Sequence, residues 1–381
     1  MSKYPMVKLG DVCIIERGGS PRPIDKYMTK NPHGINWIKI GDAPIDSLYI
    51  TKAAEKIIPE GVSKSRKVKK GDFILSNSMS FGRPYILDID GCIHDGWLLI
   101  RDANGVFEKQ FLYYYLSSET VHAKLKQMAV GGVVNNLNSN KVRSLMIPVL
   151  RKEEQVKICE KLNKITTIIQ YRKQQLIKLD ELAKSRFLEM FGNVKSSKKI
   201  SHFVDSNIVS AKKAYDENTT IKYIDISSVD NKSFSIETIT EYCFKDAPSR
   251  AQQCVISGDI LVSTVRPNLK NIAVVESTDK NLVASSGFCV LRAVKCPKEF
   301  LFGIISSDDF TNAMVGLTTG ANYPAIKDSD ILKYPVPDTS STNMEFYANF
   351  IQQLDKSKFR IKKSLEKLEL TYKALLQEYF G

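Results

Sequence analysis

Apolar positions along the chain follow two kinds of pattern, and each kind is written twice. From about residue 152 to 191, Ile158, Leu162, Ile165, Ile169, Leu176, Leu179, Ala183 and Met190 recur in alternating steps of three and four, broken by Arg172 and Arg186. The same spacing returns from about residue 343 to 380 with Tyr347, Ile351, Leu354, Ile361, Leu365, Leu368, Tyr372, Leu375 and Tyr379, broken by Lys358. Such a stripe over several heptads predicts a coiled coil. Forty helical residues span about 60 Å, more than the diameter of a domain of about 150 residues, so the two stripes are expected to pair lengthwise. If they pair antiparallel, the globular parts attached to them are expected at opposite ends, related by an approximate two-fold axis.

Before each stripe the pattern is of the other kind. Short apolar runs at 37–40, 73–75 and 97–100 lie between Gly, Pro and Asp turn signals and read as strands, as do Ile224, 260–262 and 288–291 in the second half. A helix is expected over 110–128, with its copy over 299–315.

The two halves are one repeat with a period of 189 residues. Phe111-Leu112 falls on Phe300-Leu301, Ser117-Ser118 on Ser306-Ser307, Gly131 on Gly320 and Pro148 on Pro337. Phe191-Gly192 falls on Phe380-Gly381, and the register holds without a gap. Upstream, with small shifts, residues 37–40 resemble 223–226, residues 70–76 resemble 257–263, and Arg83-Pro84 resembles Arg266-Pro267. The chain is a pseudo-dimer in one polypeptide.

Composition narrows the classes. At 381 residues with 43% hydrophobic content, the chain fits two or three cored domains. No apolar run reaches the 18 or so residues that cross a bilayer, and Met1-Ser2-Lys3-Tyr4-Pro5 is not a secretory signal, so a cytoplasmic protein without membrane partners is expected. The seven cysteines are scattered and never spaced Cys-x-x-Cys, which suits reduced thiols and neither disulfides nor a metal site. A net charge of +13 favours polyanionic partners, nucleic acid among them.

Catalytic signatures are missing. The sequence holds no Gly-x-x-x-x-Gly-Lys-Ser/Thr phosphate loop, no dinucleotide fingerprint at Gly18-Gly19 or Gly131-Gly132, and no Asn/Asp-Pro-Pro-aromatic tetrapeptide. Asp230-Asn231-Lys232 has the spacing of a nuclease element but reads as a turn. No catalytic residue, metal or cofactor is assigned.

The remaining polar clusters suit DNA. Arg17, Gly19, Ser20 and Arg22 make a small-residue loop with two guanidiniums; Lys64, Arg66 and Lys67 form a basic run; Arg83 stands beside a proline. Asn135 and Asn136 lie in a loop, 131–140, that holds four asparagines. The second half supplies Lys212, Lys213, Arg250, Arg266, Asn268, Lys270, Thr319, Asn322 and Tyr323. Each alone reads better as a solvated charge or a turn residue; their recurrence in both halves favours double-stranded DNA.

Four features in order resemble the specificity subunits of type I restriction-modification systems: Val7-Lys8-Leu9-Gly10-Asp11-Val12 with the loop at 18–21, the Lys-Gly-Asp-Phe-Ile-Leu stretch at 70–75, Ile147-Pro148 leading to Glu153-Glu154-Gln155-Val156-Lys157-Ile158, and residues 184–192. The resemblance covers essentially the whole chain, although residues 338–343 lack the Glu-Glu-Gln motif and the start near 194–203 departs from the pattern. It implies an α+β fold with two mixed α/β target recognition domains, 1–150 and 193–340, joined by two long antiparallel coiled-coil helices, 151–192 and 341–381. It also implies a non-catalytic subunit that binds a bipartite, asymmetric DNA target. Its implied partners are two modification (methyltransferase) subunits, which carry adenine methylation, and restriction/translocase subunits, which carry ATP-dependent cleavage. Helix pairing is assigned to Leu162, Ile165, Ile169, Leu176, Leu179, Ile351, Leu354, Ile361, Leu365 and Leu368. Two other classes stay open: a fused methyltransferase or nuclease, and a coiled-coil adaptor that binds DNA without sequence preference.

Overall fold

The computed structural model describes residues 4–44, 47–77, 82–129, 137–205, 207–320 and 324–381. It divides into two units, one formed by Met1–Lys173 with Lys363–Gly381 and the other by Gln174–Lys362.

In the first unit one sheet runs, in spatial order, Ile14–Arg17, Trp97–Arg101, Phe73–Ser76, Pro84–Leu87 and Tyr49–Ile50. A second runs Met28–Thr29, Glu55–Ile57, Ile35–Ile38, Gly91–Ile93 and Arg66–Val68. Phe73–Ser76 is buried at every position, which is why it reads as an unbroken apolar run. The turn before it needs Gly71, whose φ of 93° lies in the left-handed region where a side chain is strained. Its N–H donates to the Leu87 carbonyl at 2.7 Å. Met6–Lys8 pairs antiparallel with Met146–Pro148, bringing the start of the unit to the head of its long helix.

The helix expected over 110–128 is two helices, Lys109–Ser117 and Glu119–Ala129. Ser118 between them is extended, with φ −67° and ψ 144°, and its Oγ accepts from the Val121 N–H at 3.4 Å. The copy expected over 299–315 divides likewise into Lys298–Ile305 and Asp308–Gly316, with the Ser307 Oγ accepting from Phe310 N–H at 3.1 Å. A serine that caps a new helix competes with continuing the old one.

The core of the first unit closes on Phe380, whose ring stands edge-on to Phe111 at 5.3 Å and to Tyr115 at 5.8 Å. Each such aromatic contributes on the order of 2–3 kcal/mol through burial. Residues 152–173 of helix Lys152–Phe191 and residues 363–380 of helix Ser341–Phe380 run antiparallel here. Lys161 Nζ donates to Tyr379 OH at 3.3 Å, and Lys173 pairs with Glu369 at 3.1 Å. Leu162 is buried in this unit; Ile165, Ile169, Leu365 and Leu368 are half-buried.

The second unit is built on the same plan with four-stranded sheets. One runs Val204–Asp205, Phe288–Ala293, Ile260–Ser263, Ile272–Val274; the other runs Thr240–Cys243, Thr220–Ile224, Leu282–Ser285, Ala251–Cys254. Gly258, at φ 96°, makes the same turn as Gly71 and donates to the Val275 carbonyl at 2.8 Å. Ser196–Lys199 pairs with Pro335–Pro337, so the weakly patterned start near 194–203 is a polar edge strand with the role of Met6–Lys8. Phe191 meets Phe300 edge-on at 4.9 Å, repeating the Phe380–Phe111 contact one period away. Residues 174–191 and 341–362 are antiparallel in this unit. Phe187 lies 5.5 Å from Tyr347, and Lys358, which breaks the stripe, pairs with Asp180 at 2.7 Å. Arg186 stacks over Phe346 and Phe350. Leu354 is buried; Leu176, Leu179, Ile351 and Ile361 are half-buried.

The copies differ at one junction. Tyr114 falls on Gly303 in the repeat, and a Cβ at Gly303 would stand 2.6 Å from Phe187 Cδ2. Leu376, in the core that holds Tyr114, falls on Phe187. Large and small have changed places.

Candidate nucleic-acid interface

In the first unit the end of Phe73–Ser76 organises a polar rim. Asn77 donates its N–H to Gly96 O and its Nδ2 to Asp95 O, both at 2.9 Å, and accepts the Leu137 N–H at 3.3 Å. Gly18 and Gly19 donate to Trp97 O and Ile93 O. Arg17 Nε donates to Asp95 O at 3.2 Å, Ser20 Oγ to Asp95 Oδ1 at 2.9 Å, and Ser65 Oγ to Gly19 O at 2.7 Å. Arg66 donates Nε to Arg17 O and pairs with Glu16 at 3.3 Å. Arg17, Leu137, Asn138 and Ser139 line an open cavity of about 290 Å³ beside this rim.

Gly18 is required by a close approach within the protein, since a Cβ there would lie 2.0 Å from the His94 carbonyl. Lys64 covers the Tyr27 ring at 4.9 Å; Arg83 is half-buried with its guanidinium 5.3 Å from the Tyr85 ring; Arg22 and Lys67 are exposed. Asn135 and Asn136 lie outside the described residues.

Ser20, Asp95 and His94 touch, but not as a catalytic triad. His94 Nε2 and Ser20 Oγ both meet Asp95 Oδ1 at 2.9 Å, while His94 Nδ1 accepts the Gly96 N–H. Both imidazole nitrogens are therefore engaged away from the hydroxyl, and no base activates it.

The second unit repeats the scaffold with other side chains. Thr264 donates its N–H to Gly287 O at 2.9 Å and accepts the Ile326 N–H at 2.9 Å, as Asn77 does with Gly96 and Leu137. Ser286 N–H donates to Arg250 O, which draws exposed Arg250 to the same rim. The hairpin loop 264–270 presents Arg266 and Asn268, both exposed, and Lys270, whose Nζ pairs with Asp308. That ammonium holds the Asp308 carboxyl below the usual range. Thr319 exchanges backbone hydrogen bonds with Ala325 at 3.0 and 3.1 Å. Lys212 and Lys213 are exposed on the short helix Ala211–Ala214, which packs along Ala251–Cys254. Asn322 and Tyr323 lie outside the described residues.

The ladder corrects one equivalence. Ser76 N–H donates to Arg83 O and Ser263 N–H to Asn271 O, so Arg83 corresponds to Asn271 and not to Arg266. Arg266 belongs instead to the hairpin loop of the second unit, one residue longer than that of the first. Sequence reasoning also missed Ser65, Asn77, Asp95, Thr264 and Ser286. Only Asp95-Gly96 and Ser286-Gly287, each ahead of an aromatic, carried a signal.

Among the described residues, no group of three or more His, Cys, Asp or Glu could hold a metal ion, and no helix is long and apolar enough to cross a membrane.

Comparison with known proteins adds to this geometry. Residues 1–181 match the model of the family described as the type I restriction modification DNA specificity domain. The type I restriction enzyme MjaIX specificity subunit of Methanocaldococcus jannaschii is 26% identical over 194 residues, which are 50% of this chain and 43% of that protein. The match thus spans less than half the length of that curated relative. A solved structure reported for complex assembly and conformational transition of the type I R-M system aligns over 100% of this chain and 99% of its own, at TM-score 0.63 and 16% identity. The type I restriction-modification S subunit from M. genitalium aligns over 100% and 96%, at TM-score 0.55 and 14% identity. At such identities the likeness is one of fold.

Proposed function

We infer that this chain, whose residues 1–181 match the model of the type I restriction modification DNA specificity domain, is the DNA sequence-recognition subunit of a type I restriction-modification enzyme. It binds a bipartite, asymmetric target, one half-site per unit, with the recognition regions at 1–150 and 193–340. It docks two modification subunits, which methylate adenine, and the restriction/translocase subunits, and it performs no catalysis itself.

The observation that carries this reading is the duplicated rim. One backbone scaffold, Asn77 with Gly96 and Leu137 or Thr264 with Gly287 and Ile326, presents a different polar set in each unit. Same frame and different side chains are what two unlike half-sites require. Phosphate contacts from exposed lysines and arginines supply affinity, and side chains on the rim supply base choice.

The test is the methylated-adenine motif laid down by the chain with its modification subunits. A split motif is expected. Replacing residues 1–150 with those of a relative changes one half and leaves the other. A motif that changes in both halves, or no sequence preference at all, overturns the reading.

A further inference from the structure

We propose that the cavity of the first unit lined by Arg17, Leu137, Asn138 and Ser139 holds a phosphate of the DNA backbone, with the Arg17 guanidinium as its charge partner; this rests on the DNA-binding role inferred above and deepens it.

Arg17 ends the strand Ile14–Arg17 and is exposed. Its Nε donates to Asp95 O at 3.2 Å, which sets the plane of the guanidinium. Among the described residues, Nη1 and Nη2 meet no acceptor. Two carboxylates of the same rim are taken: Asp95 Oδ1 meets Ser20 Oγ and His94 Nε2, and Glu16 pairs with Arg66. A solvated arginine alone would need no ligand. This one lines an open cavity of about 290 Å³ together with further donors. The Asn138 Oδ1 accepts the Asn140 N–H at 2.9 Å, so the Nδ2 is the end of that amide with hydrogens left to give. Ser139 adds a hydroxyl. A full positive charge beside amide and hydroxyl donors suits an anionic oxygen. A base edge lies within a groove and is read by a side chain that protrudes. A phosphate projects from the duplex and can enter a recess.

The charge pattern of the sequence points the same way independently. From Val121 to Lys152, the stretch that contains Leu137, Asn138 and Ser139, there is no Asp or Glu, while Lys124, Lys126, Lys141, Arg143, Arg151 and Lys152 are present. One period on, residues 310–341 carry Asp328, Asp330 and Asp338 against Lys327 and Lys333. Both stretches build the same fold, so folding does not demand the single sign. A polyanion on the first unit does.

The test uses the full chain and measures its affinity for duplexes over a range of salt, with the consensus selected from randomised duplexes. Arg17→Gln removes the charge. Asn138→Asp adds an opposing one and keeps the cap, since a carboxylate accepts the same Asn140 N–H. Both variants are expected to keep the wild-type thermal midpoint and consensus and to bind every duplex about 10-fold more weakly. In Arg17→Gln the slope of log affinity against log salt is expected to be shallower by about 0.9. Arg17→Lys, which keeps the point charge, is expected to retain the slope.

Unchanged affinity and slope in Arg17→Gln overturn the proposal, as does wild-type affinity in Asn138→Asp. A consensus altered at one position in Arg17→Gln also overturns it, in favour of a base contact. A wild type that binds all duplexes alike overturns the recognition reading, while the slope still decides the cavity. A wild type that binds no duplex overturns both.

Discussion

Arg101 grips Asp72 with both ends of its guanidinium, Nε at 2.8 Å from Oδ1 and Nη2 on Oδ2, and Arg292 does the same to Asp259 at 2.8 and 2.7 Å. The carboxylates are almost wholly buried and each also accepts a backbone N–H, from Lys69 or Ile256. The Gly-Asp dipeptides at 71–72 and 258–259 are thus one device used twice. Glycine makes the left-handed turn, and aspartate ties that turn to a neighbouring strand.

Replacing Asp72 or Asp259 with alanine leaves a guanidinium whose partner is gone, and removes charged hydrogen bonds worth on the order of 2 kcal/mol. The guanidiniums reach water, which holds the loss below that of a fully buried pair. Chemical denaturation of each variant is expected to show that loss, with the matching Asp72→Ala plus Arg101→Met double variant losing less than the sum of the singles.

Phe191 and Phe380 close equivalent cores, so Phe191→Ala and Phe380→Ala are each expected to cost about 3–5 kcal/mol. Hydrogen exchange locates the damage. Amides around Phe300 lose protection in the first variant, and amides around Phe111 in the second; the reverse assignment would contradict the packing.

Gly303→Ala places a methyl group against the Phe187 ring and is expected to destabilise by about 1–3 kcal/mol. Adding Phe187→Leu places there the leucine that stands at the equivalent position 376, and the thermal midpoint of the double variant is expected to exceed that of Gly303→Ala alone.

Burial pushes the Cys13 thiol up to about 12, and it pushes Cys159 and Cys289 in the same direction. The reactive thiolate is disfavoured, so its fraction at pH 8 lies far below that of an ordinary cysteine. Mass spectrometry after brief alkylation at pH 8 is expected to find these three unmodified in the folded chain and modified in denaturant.

The large-scale plan was legible because it rests on periodicities. The coiled-coil stripe and the gap-free repeat survive in apolar identity alone, and Phe111, Phe191, Phe300 and Phe380 stand in equivalent contacts. Local structure was harder to read. The break at Ser118 was written in the cap that starts at Ser307 with Asp308 and Asp309 behind it, but an apolar period running through the break hid it. Arg83 was matched to Arg266 on a shared Arg-Pro, whereas strand register is fixed by hydrogen bonds that identity does not record. The rim depends on backbone carbonyls of Asp95, Gly96 and Gly287, which any residue supplies. Its address is therefore nearly silent in the sequence.

The exchanged sizes at Tyr114 and Gly303 bear on how such a gene can recombine. A globular segment carried from the first position into the second, with the crossover placed before the long helix, delivers a tyrosine to a site that Phe187 already fills. The reciprocal transfer removes the Tyr114 ring from the first core and leaves a void. Shuffling between positions is therefore penalised unless the helix residue travels with the segment, whereas exchange between the same positions of two related genes carries no such cost. The packing therefore favours like-for-like inheritance, position by position.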